Sequence, residues 1–84
     1  MRVKPIAYTR SAIRTLGRMP ANTARLIRSK IEQYASDPAS LANNVKALKG
    51  RDAVRLRVGD WRVIMEDGVV VAVLEIGSRG SIYE

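Results

Sequence analysis

Arginine is the residue type whose abundance in this sequence suggests chemistry. The chain has fifteen basic and eight acidic residues among 84, for a formal net charge of +7, and eleven of the basic residues are arginine. Arginine binds phosphate through two parallel hydrogen bonds and stacks on bases. A polyanion is therefore the first partner to expect. The alternative is a basic domain whose arginines are spread around its surface, and only their positions separate the two.

Three arginines flank a predicted β-hairpin. The C-terminal third of the sequence alternates between apolar and polar residues, and Gly59-Asp60 fits a two-residue hairpin turn. With that turn, Arg57 faces Arg62 across the hairpin and Arg55 lies on the same sheet face. Opposed like charges destabilise a sheet, so this pair favours an anion between them. The alternative is neutralisation within the chain by carboxylates: Glu66, Glu75 and Glu84.

The sequence excludes several kinds of catalytic site. It contains no histidine and no cysteine, so neither a Ser/His or Cys/His nucleophile nor a His or thiolate metal site is available. Four carboxylates near the hairpins are candidates for magnesium, but two lie in predicted turns, where aspartate is ordinary. We predict no metal and no cofactor. The carboxylates are Asp60, Glu66, Asp67 and Glu75.

The same composition bears on location. The absence of cysteine fits a reducing compartment, and we expect a cytoplasmic protein. The N-terminus lacks the apolar core of a signal peptide. The longest apolar run, Val69 to Leu74, has the length of a strand, so no membrane association is expected.

A single α+β domain over residues 1–84 is predicted to position these residues. Val3 to Tyr8 indicates a strand. Two helices forming an antiparallel hairpin follow, from Arg10 to about Leu16, where Gly17 and Pro20 would end the first, and from about Ala21 to Ser36. Residues 38–52 read as irregular. Three antiparallel strands then form a meander over residues 53–58, 61–66 and 69–77.

The helices are predicted to cover one face of this meander. In the register given by Gly59-Asp60, one face of the first hairpin is entirely apolar and forms the core. Asp67-Gly68 predicts a second two-residue turn, which would place Val71 and Val73 on the arginine face, either as an exposed apolar contact surface or covered by the C-terminal tail. The predicted core residues of the first hairpin are Val54, Leu56, Val58, Trp61, Val63 and Met65.

Several sequence segments, in this order, resemble the RelE family of small bacterial toxins. They are Val45-Lys46-Ala47-Leu48-Lys49-Gly50, Arg55-Leu56-Arg57-Val58-Gly59-Asp60-Trp61-Arg62-Val63-Ile64, Ile76-Gly77-Ser78-Arg79, and Ile82-Tyr83. The resemblance covers nearly the whole chain and extends to the RelE/ParE superfamily. It implies a RelE-like fold and the toxin of a type II toxin–antitoxin pair. It also implies a cognate antitoxin as partner in a hetero-oligomer.

The resemblance further implies a metal-independent endoribonuclease that cuts mRNA on the ribosome and leaves a cyclic phosphate. Arg55 takes the position of a catalytic lysine, Arg62 that of a phosphate-binding arginine, and Arg79 that of the arginine that stabilises the transition state. Tyr83 matches the tyrosine that orients the substrate. Three further residues are expected to contact RNA: Lys49, Arg51 and Arg57.

The sequence departs from the family pattern at Ala53, where another catalytic lysine is expected. Because an arginine guanidinium stays protonated in proteins, Arg55 does not supply a general base. Tyr83 and Lys49 are the remaining candidates. Two other functions stay open: a ParE-like poison of DNA gyrase, which the missing lysine favours, and an inactive toxin that acts only as a co-repressor with its antitoxin.

Overall fold

The computed structural model describes residues 3–50 and 52–78. A five-stranded sheet carries the helices on one face, and its strand order is β1-β5-β4-β3-β2. Strand β1 runs parallel to β5, and the other neighbours are antiparallel. The elements are β1 (Ile6–Tyr8), α1 (Arg10–Arg18), α2 (Ala21–Ser36), a 3-10 helix (Pro38–Asn44), β2 (Val45–Ala47), β3 (Val54–Val58), β4 (Trp61–Asp67) and β5 (Val71–Ser78).

Helix α1 begins at a threonine cap and ends before a proline. The Thr9 hydroxyl accepts a hydrogen bond from the Ala12 amide at 3.1 Å and donates one to the Leu74 carbonyl at 2.7 Å, so the cap also ties the helix to β5. The prediction that Gly17 contributes to ending this helix was wrong, because α1 continues to Arg18. Pro20 sets the end, since a residue before proline disfavours helical backbone and Met19 is extended.

The core lies between the two helices and the sheet. Helix α2 buries Ile27, Ile31, Tyr34 and Ala35, which recur at helical spacing, and α1 contributes Ala12 and Leu16. The predicted apolar face of the first hairpin is confirmed as the sheet's contribution, with Trp61 and Val54 half-buried. The buried sheet residues of this core are Leu56, Val58, Val63, Met65, Val71, Val73 and Ile76.

The β3–β4 hairpin has the predicted turn and register. Val58 pairs with Trp61, and Arg57 pairs with Arg62. Gly59 takes a φ of +58°, a left-handed conformation that explains why glycine stands at the first loop position.

The interpretation of residues 38–52 as irregular was incomplete. The 3-10 helix fills the first part, with Leu41 buried as an anchor, and β2 adds a short edge strand to β3. A three-residue strand is too short for alternation to reveal it.

The predicted second turn was wrong. Asp67 belongs to β4 and pairs with Val71, so the loop has three residues, Gly68 to Val70. Val71 and Val73 consequently lie on the core face and are fully buried, contrary to the exposed position predicted for them.

Side-chain contacts explain this register. The Asp67 carboxylate accepts a hydrogen bond from the Tyr34 hydroxyl at 2.8 Å and forms an ion pair with Lys4 at 2.5 Å. These contacts hold Asp67 in the strand and join the N-terminal segment, α2 and β4. Burial, and next the hydrogen bond to Asp67, raise the pKa of Tyr34 to about 12. The contact with Lys4 is the main cause that lowers the pKa of Asp67.

Candidate polyanion-binding face

Four basic residues form a row across β2, β3 and β4 on the sheet face opposite the helices. Lys46 pairs with Arg55, and Arg57 pairs with Arg62. Lys46 and Arg57 are exposed, and neither makes an ion pair or side-chain hydrogen bond within residues 3–50 and 52–78. The predicted concentration of positive charge on one sheet face is therefore present, and Lys46 extends it beyond the predicted hairpin. We call Lys46, Arg55, Arg57 and Arg62 the basic row.

Arg62 is the most enclosed member of the basic row. Its side chain is 8% exposed. One terminal nitrogen of its guanidinium donates to the Gly59 carbonyl at 3.2 Å and to the Trp61 carbonyl at 3.1 Å. The hairpin turn thus fixes where this guanidinium lies, which is the kind of preorganisation that stabilises developing charge. The sequence predicted the face of Arg62 but not its enclosure.

Arg55 is half-buried beside a shallow groove at the edge of the sheet. The groove has a volume of about 260 Å³. Guanidinium, ammonium and side-chain amide groups border it, so its walls supply mainly hydrogen-bond donors and positive charge. The edge strand β2, which the sequence pattern missed, provides one wall. The lining residues are Asn43, Asn44, Val45, Lys46, Arg55 and Arg57.

A small apolar cluster interrupts the basic face. Ala53 is 4% and Ile64 2% exposed, and Leu48 and Leu74 pack against them. The β-bulge in β5 opposite Ile64 and Met65 accompanies the contact of Leu74 with this cluster. At the position where the resemblance expects a lysine, the structure thus places a buried alanine among apolar side chains. The sequence placed Ile64 on this face, but its burial depends on residues from two other segments.

The remaining predicted site residues fall in two groups. Lys49 is exposed in the turn after β2, next to Gly50 with a φ of +71°. Arg51, Arg79 and Tyr83 lie outside the described residues. The roles of all these residues remain predictions.

Within residues 3–50 and 52–78, no group of three His, Cys, Asp or Glu side chains is placed to hold a metal ion. No helix in this part of the chain is long and apolar enough to cross a bilayer.

Comparisons with known proteins give one family and a set of related folds. The family described as the ParE toxin of type II toxin–antitoxin systems, parDE, matches residues 6–83. The comparison with curated proteins found no significant match.

Solved structures of RelE toxins share the fold. The archaeal RelE–RelB complex from Pyrococcus horikoshii OT3 matches with a TM-score of 0.81 and 22% identity, covering 96% of this chain and 100% of that chain. The RelBE2 toxin–antitoxin complex from Mycobacterium tuberculosis has a TM-score of 0.77 and 17% identity, covering 93% and 100%. The isolated E. coli RelE toxin has a TM-score of 0.72 and 14% identity, covering 94% and 87%. At these identities the likeness shows the fold alone.

Proposed function

The chain belongs to the ParE toxin family of type II toxin–antitoxin systems, within the RelE/ParE superfamily, and we propose that it is a toxin that cleaves mRNA on the ribosome without a metal ion. The observation that carries this proposal is the basic row, which brings four cations together on the sheet face opposite the helices. Guanidinium groups bind phosphate oxygens through paired, charge-assisted hydrogen bonds, so a row of this kind suits an RNA backbone.

The proposed reaction is an internal phosphoryl transfer. The 2′-hydroxyl oxygen attacks the adjacent phosphorus, the bond from phosphorus to the 5′-oxygen breaks, and a 2′,3′-cyclic phosphate forms. The 2′-hydroxyl proton passes to a base, and the leaving 5′-oxygen takes up a proton. Negative charge grows on the phosphorane oxygens, and fixed guanidinium groups stabilise it. In this proposal Arg55 and Arg62 hold the phosphate, Arg57 binds the neighbouring backbone, and Arg79 and Tyr83 complete the site.

The position where the resemblance expects a catalytic lysine supplies no general base. Ala53 is enclosed by apolar side chains, so it offers no proton acceptor where the resemblance expects lysine. Lys49 is exposed near the end of the same face and is one candidate. Tyr83 is the other, and its phenol would need arginine neighbours to favour the ionised form. Completion of the site by ribosomal RNA would also account for a base that the chain lacks.

We also propose that a cognate antitoxin binds this chain. Two of the structural matches described above are complexes of a toxin with its antitoxin.

A ParE-like poison of DNA gyrase is the second candidate function. The buried Ala53 favours it, because a binding protein needs no ammonium group at that position. Here the basic row would bind a polyanion without cutting it.

Primer extension on a reporter mRNA with programmed ribosomes tests the choice. The test variants are Arg62→Ala and Arg57→Gln. Ala39→Glu, at an exposed position of the 3-10 helix that belongs to neither the basic row nor the helices α1 and α2, is the control with the same charge change. We expect cleavage within the ribosomal A site for the wild type and the control, and its loss in the test variants. Intact mRNA at high wild-type concentration contradicts the nuclease proposal. Inhibited supercoiling by gyrase would then select the second candidate.

A further inference from the structure

The net positive charge of the molecule comes from its N-terminal third. Residues 1–31 contain eight basic residues and no acidic residue, whereas residues 32–84 contain seven basic and eight acidic residues. The segment that carries the basic row is therefore close to neutral as a whole. The excess positive charge lies in residues 1–31, and the basic row does not account for it. The eight residues are Arg2, Lys4, Arg10, Arg14, Arg18, Arg25, Arg28 and Lys30.

Helices α1 and α2 carry most of this charge on their solvent side. In α1, Arg10, Arg14 and Arg18 recur every fourth residue and are all exposed, on the side opposite the buried Ala12 and Leu16. In α2, Arg25 and Arg28 are exposed, whereas Lys30 is half-buried and lies about 160° from Arg28 around the helix axis. Within residues 3–50 and 52–78 none of the five exposed arginines forms an ion pair. We call Arg10, Arg14, Arg18, Arg25 and Arg28 the basic helix surface.

The arrangement does not stabilise the helices. Like charges four residues apart on one helix destabilise it by about 0.2–0.5 kcal/mol per pair, and α1 contains two such pairs. Arg10 lies in the first turn, where the helix dipole disfavours a cation, whereas Arg18 lies in the last turn, where the dipole favours one; neither helix has an acidic residue in its first turn. Local stability therefore does not explain this run of arginines, whereas a bound polyanion would relieve the repulsion.

We propose that the basic helix surface binds the phosphate backbone of a nucleic-acid duplex, independently of the function proposed for the basic row. Residues four apart on a helix rise by about 6 Å, a step comparable to the distance between successive phosphates of one strand. Arginine forks bind phosphate oxygens bidentately. Asn22 and Ser29, both exposed on α2, add further donors of the kind found at phosphates.

The lack of stacking groups favours a duplex over a single strand. Proteins that hold single strands offer exposed aromatic rings to the bases. Among the described residues of this region, Tyr34 is buried, and Tyr8 lies half-buried with the Arg28 guanidinium 5.9 Å from its ring centroid. The basic helix surface thus supplies positive charge but no exposed aromatic ring on which a base could stack.

The two basic surfaces lie on opposite sides of the sheet. The helices cover the core face, and the basic row lies on the other face. The two proposals together place one nucleic-acid segment on each side of the sheet. This geometry makes the two surfaces separable by mutation.

The test compares two triple variants that lose the same charge. Arg10→Gln/Arg14→Gln/Arg18→Gln removes three cations from the basic helix surface, and Lys46→Gln/Lys49→Gln/Arg57→Gln removes three exposed cations from the sheet side. Fluorescence anisotropy would follow binding of the full chain to a DNA duplex and an RNA duplex of one sequence, about 20 base pairs long, and to the single strand, at several salt concentrations.

We expect the helix variant to lose more duplex affinity and more salt dependence than the sheet variant, whose three cations lie on the face proposed to bind mRNA. Each phosphate contact contributes about 0.9 to the slope of log affinity against log salt. Three contacts make the wild type's loss of affinity between roughly 50 and 200 mM salt about 40-fold larger than that of the helix variant. Arg14→Gln alone should lower the slope by about 1.

Two outcomes overturn the proposal. Equal weakening by both triple variants would mean that only net charge matters, and weakening by the sheet variant alone would place duplex binding on the other face. Circular dichroism melting controls for folding, and we expect the helix variant to melt no lower than the wild type, because it loses two repulsive pairs. Comparison of the affinities for the DNA duplex and the RNA duplex shows which of the two the protein prefers.

Discussion

Replacing Tyr34 by phenylalanine should make the free energy of unfolding depend on pH in a distinctive way. At pH 7 the variant loses the hydrogen bond from the Tyr34 hydroxyl to the Asp67 carboxylate. A hydrogen bond to a charged group contributes about 1.5–3 kcal/mol. Because Asp67 keeps Lys4 and its contact with solvent, we expect a loss near the lower end, about 1.5 kcal/mol.

At alkaline pH, the difference in stability between wild type and Tyr34→Phe should disappear. The pKa of Tyr34 is about 12 in the folded protein, against about 10 in an unfolded chain. Its contribution to stability is therefore complete below pH 10 and is lost as the pH rises towards 12. At pH 11 the wild type should have lost about 1.4 kcal/mol that the phenylalanine variant keeps. The two stabilities should then be nearly equal, and the variant should be the more stable protein at pH 12.

Urea denaturation followed by the fluorescence of Trp61, the single tryptophan, measures this directly. Tyr8→Phe is the matched control, because the Tyr8 hydroxyl makes no hydrogen bond within residues 3–50 and 52–78, so its loss at pH 7 should be small. A difference between wild type and Tyr34→Phe that stays constant from pH 7 to pH 11 would refute the raised pKa of Tyr34, and the absence of any difference at pH 7 would refute the assigned hydrogen bond.

Three further changes test other contacts. Asp67→Asn should lower the free energy of unfolding by about 1 kcal/mol at pH 7. Because folding lowers the pKa of Asp67, urea denaturation should show this difference from wild type disappearing as the pH falls below about 4. Gly59→Ala should lower stability by about 1–2 kcal/mol because of the positive φ at this position. Gly17→Ala should raise stability by up to about 1 kcal/mol, because Gly17 lies in α1 with open space around it. Thermal melts in which both variants shift the melting temperature in the same direction would contradict this pair of predictions. Thr9→Ala should cost about 1–2 kcal/mol by removing the cap of α1, and unchanged protection of the α1 amides in hydrogen exchange would argue against it.

The first hairpin was predictable because two independent signals agree there. Glycine at the turn fixes the loop, and alternation on both sides fixes which residues face the core. Leu56, Val58 and Val63 are accordingly buried, and Arg57 opposes Arg62 as predicted. The stripe on α2 was predictable for the same reason, since its apolar residues recur at helical spacing.

The second hairpin was not predictable from local signals. Asp67-Gly68 is a strong turn motif, but Asp67 is held in the strand by Lys4 and Tyr34, which are remote in sequence. The same limit applies to the candidate site. The burial of Ala53 depends on Leu48 and Leu74, and the enclosure of Arg62 depends on turn carbonyls whose direction the sequence pattern does not give. Arg51, Arg79 and Tyr83 remain predictions from resemblance.

The parallel pairing of β1 with β5 also affects how the protein is made. Ile6 pairs with Val71 and Tyr8 with Val73, so the first strand cannot join the sheet until nearly the whole chain has been synthesised. Helix α1 packs mainly on β5, so it cannot pack until the same residues have been synthesised. During translation the arginine-rich helices therefore leave the ribosome before the strands that cover their apolar sides. A chain interrupted before Val71 should lack the complete five-stranded sheet, and with it the folded arrangement of both basic surfaces.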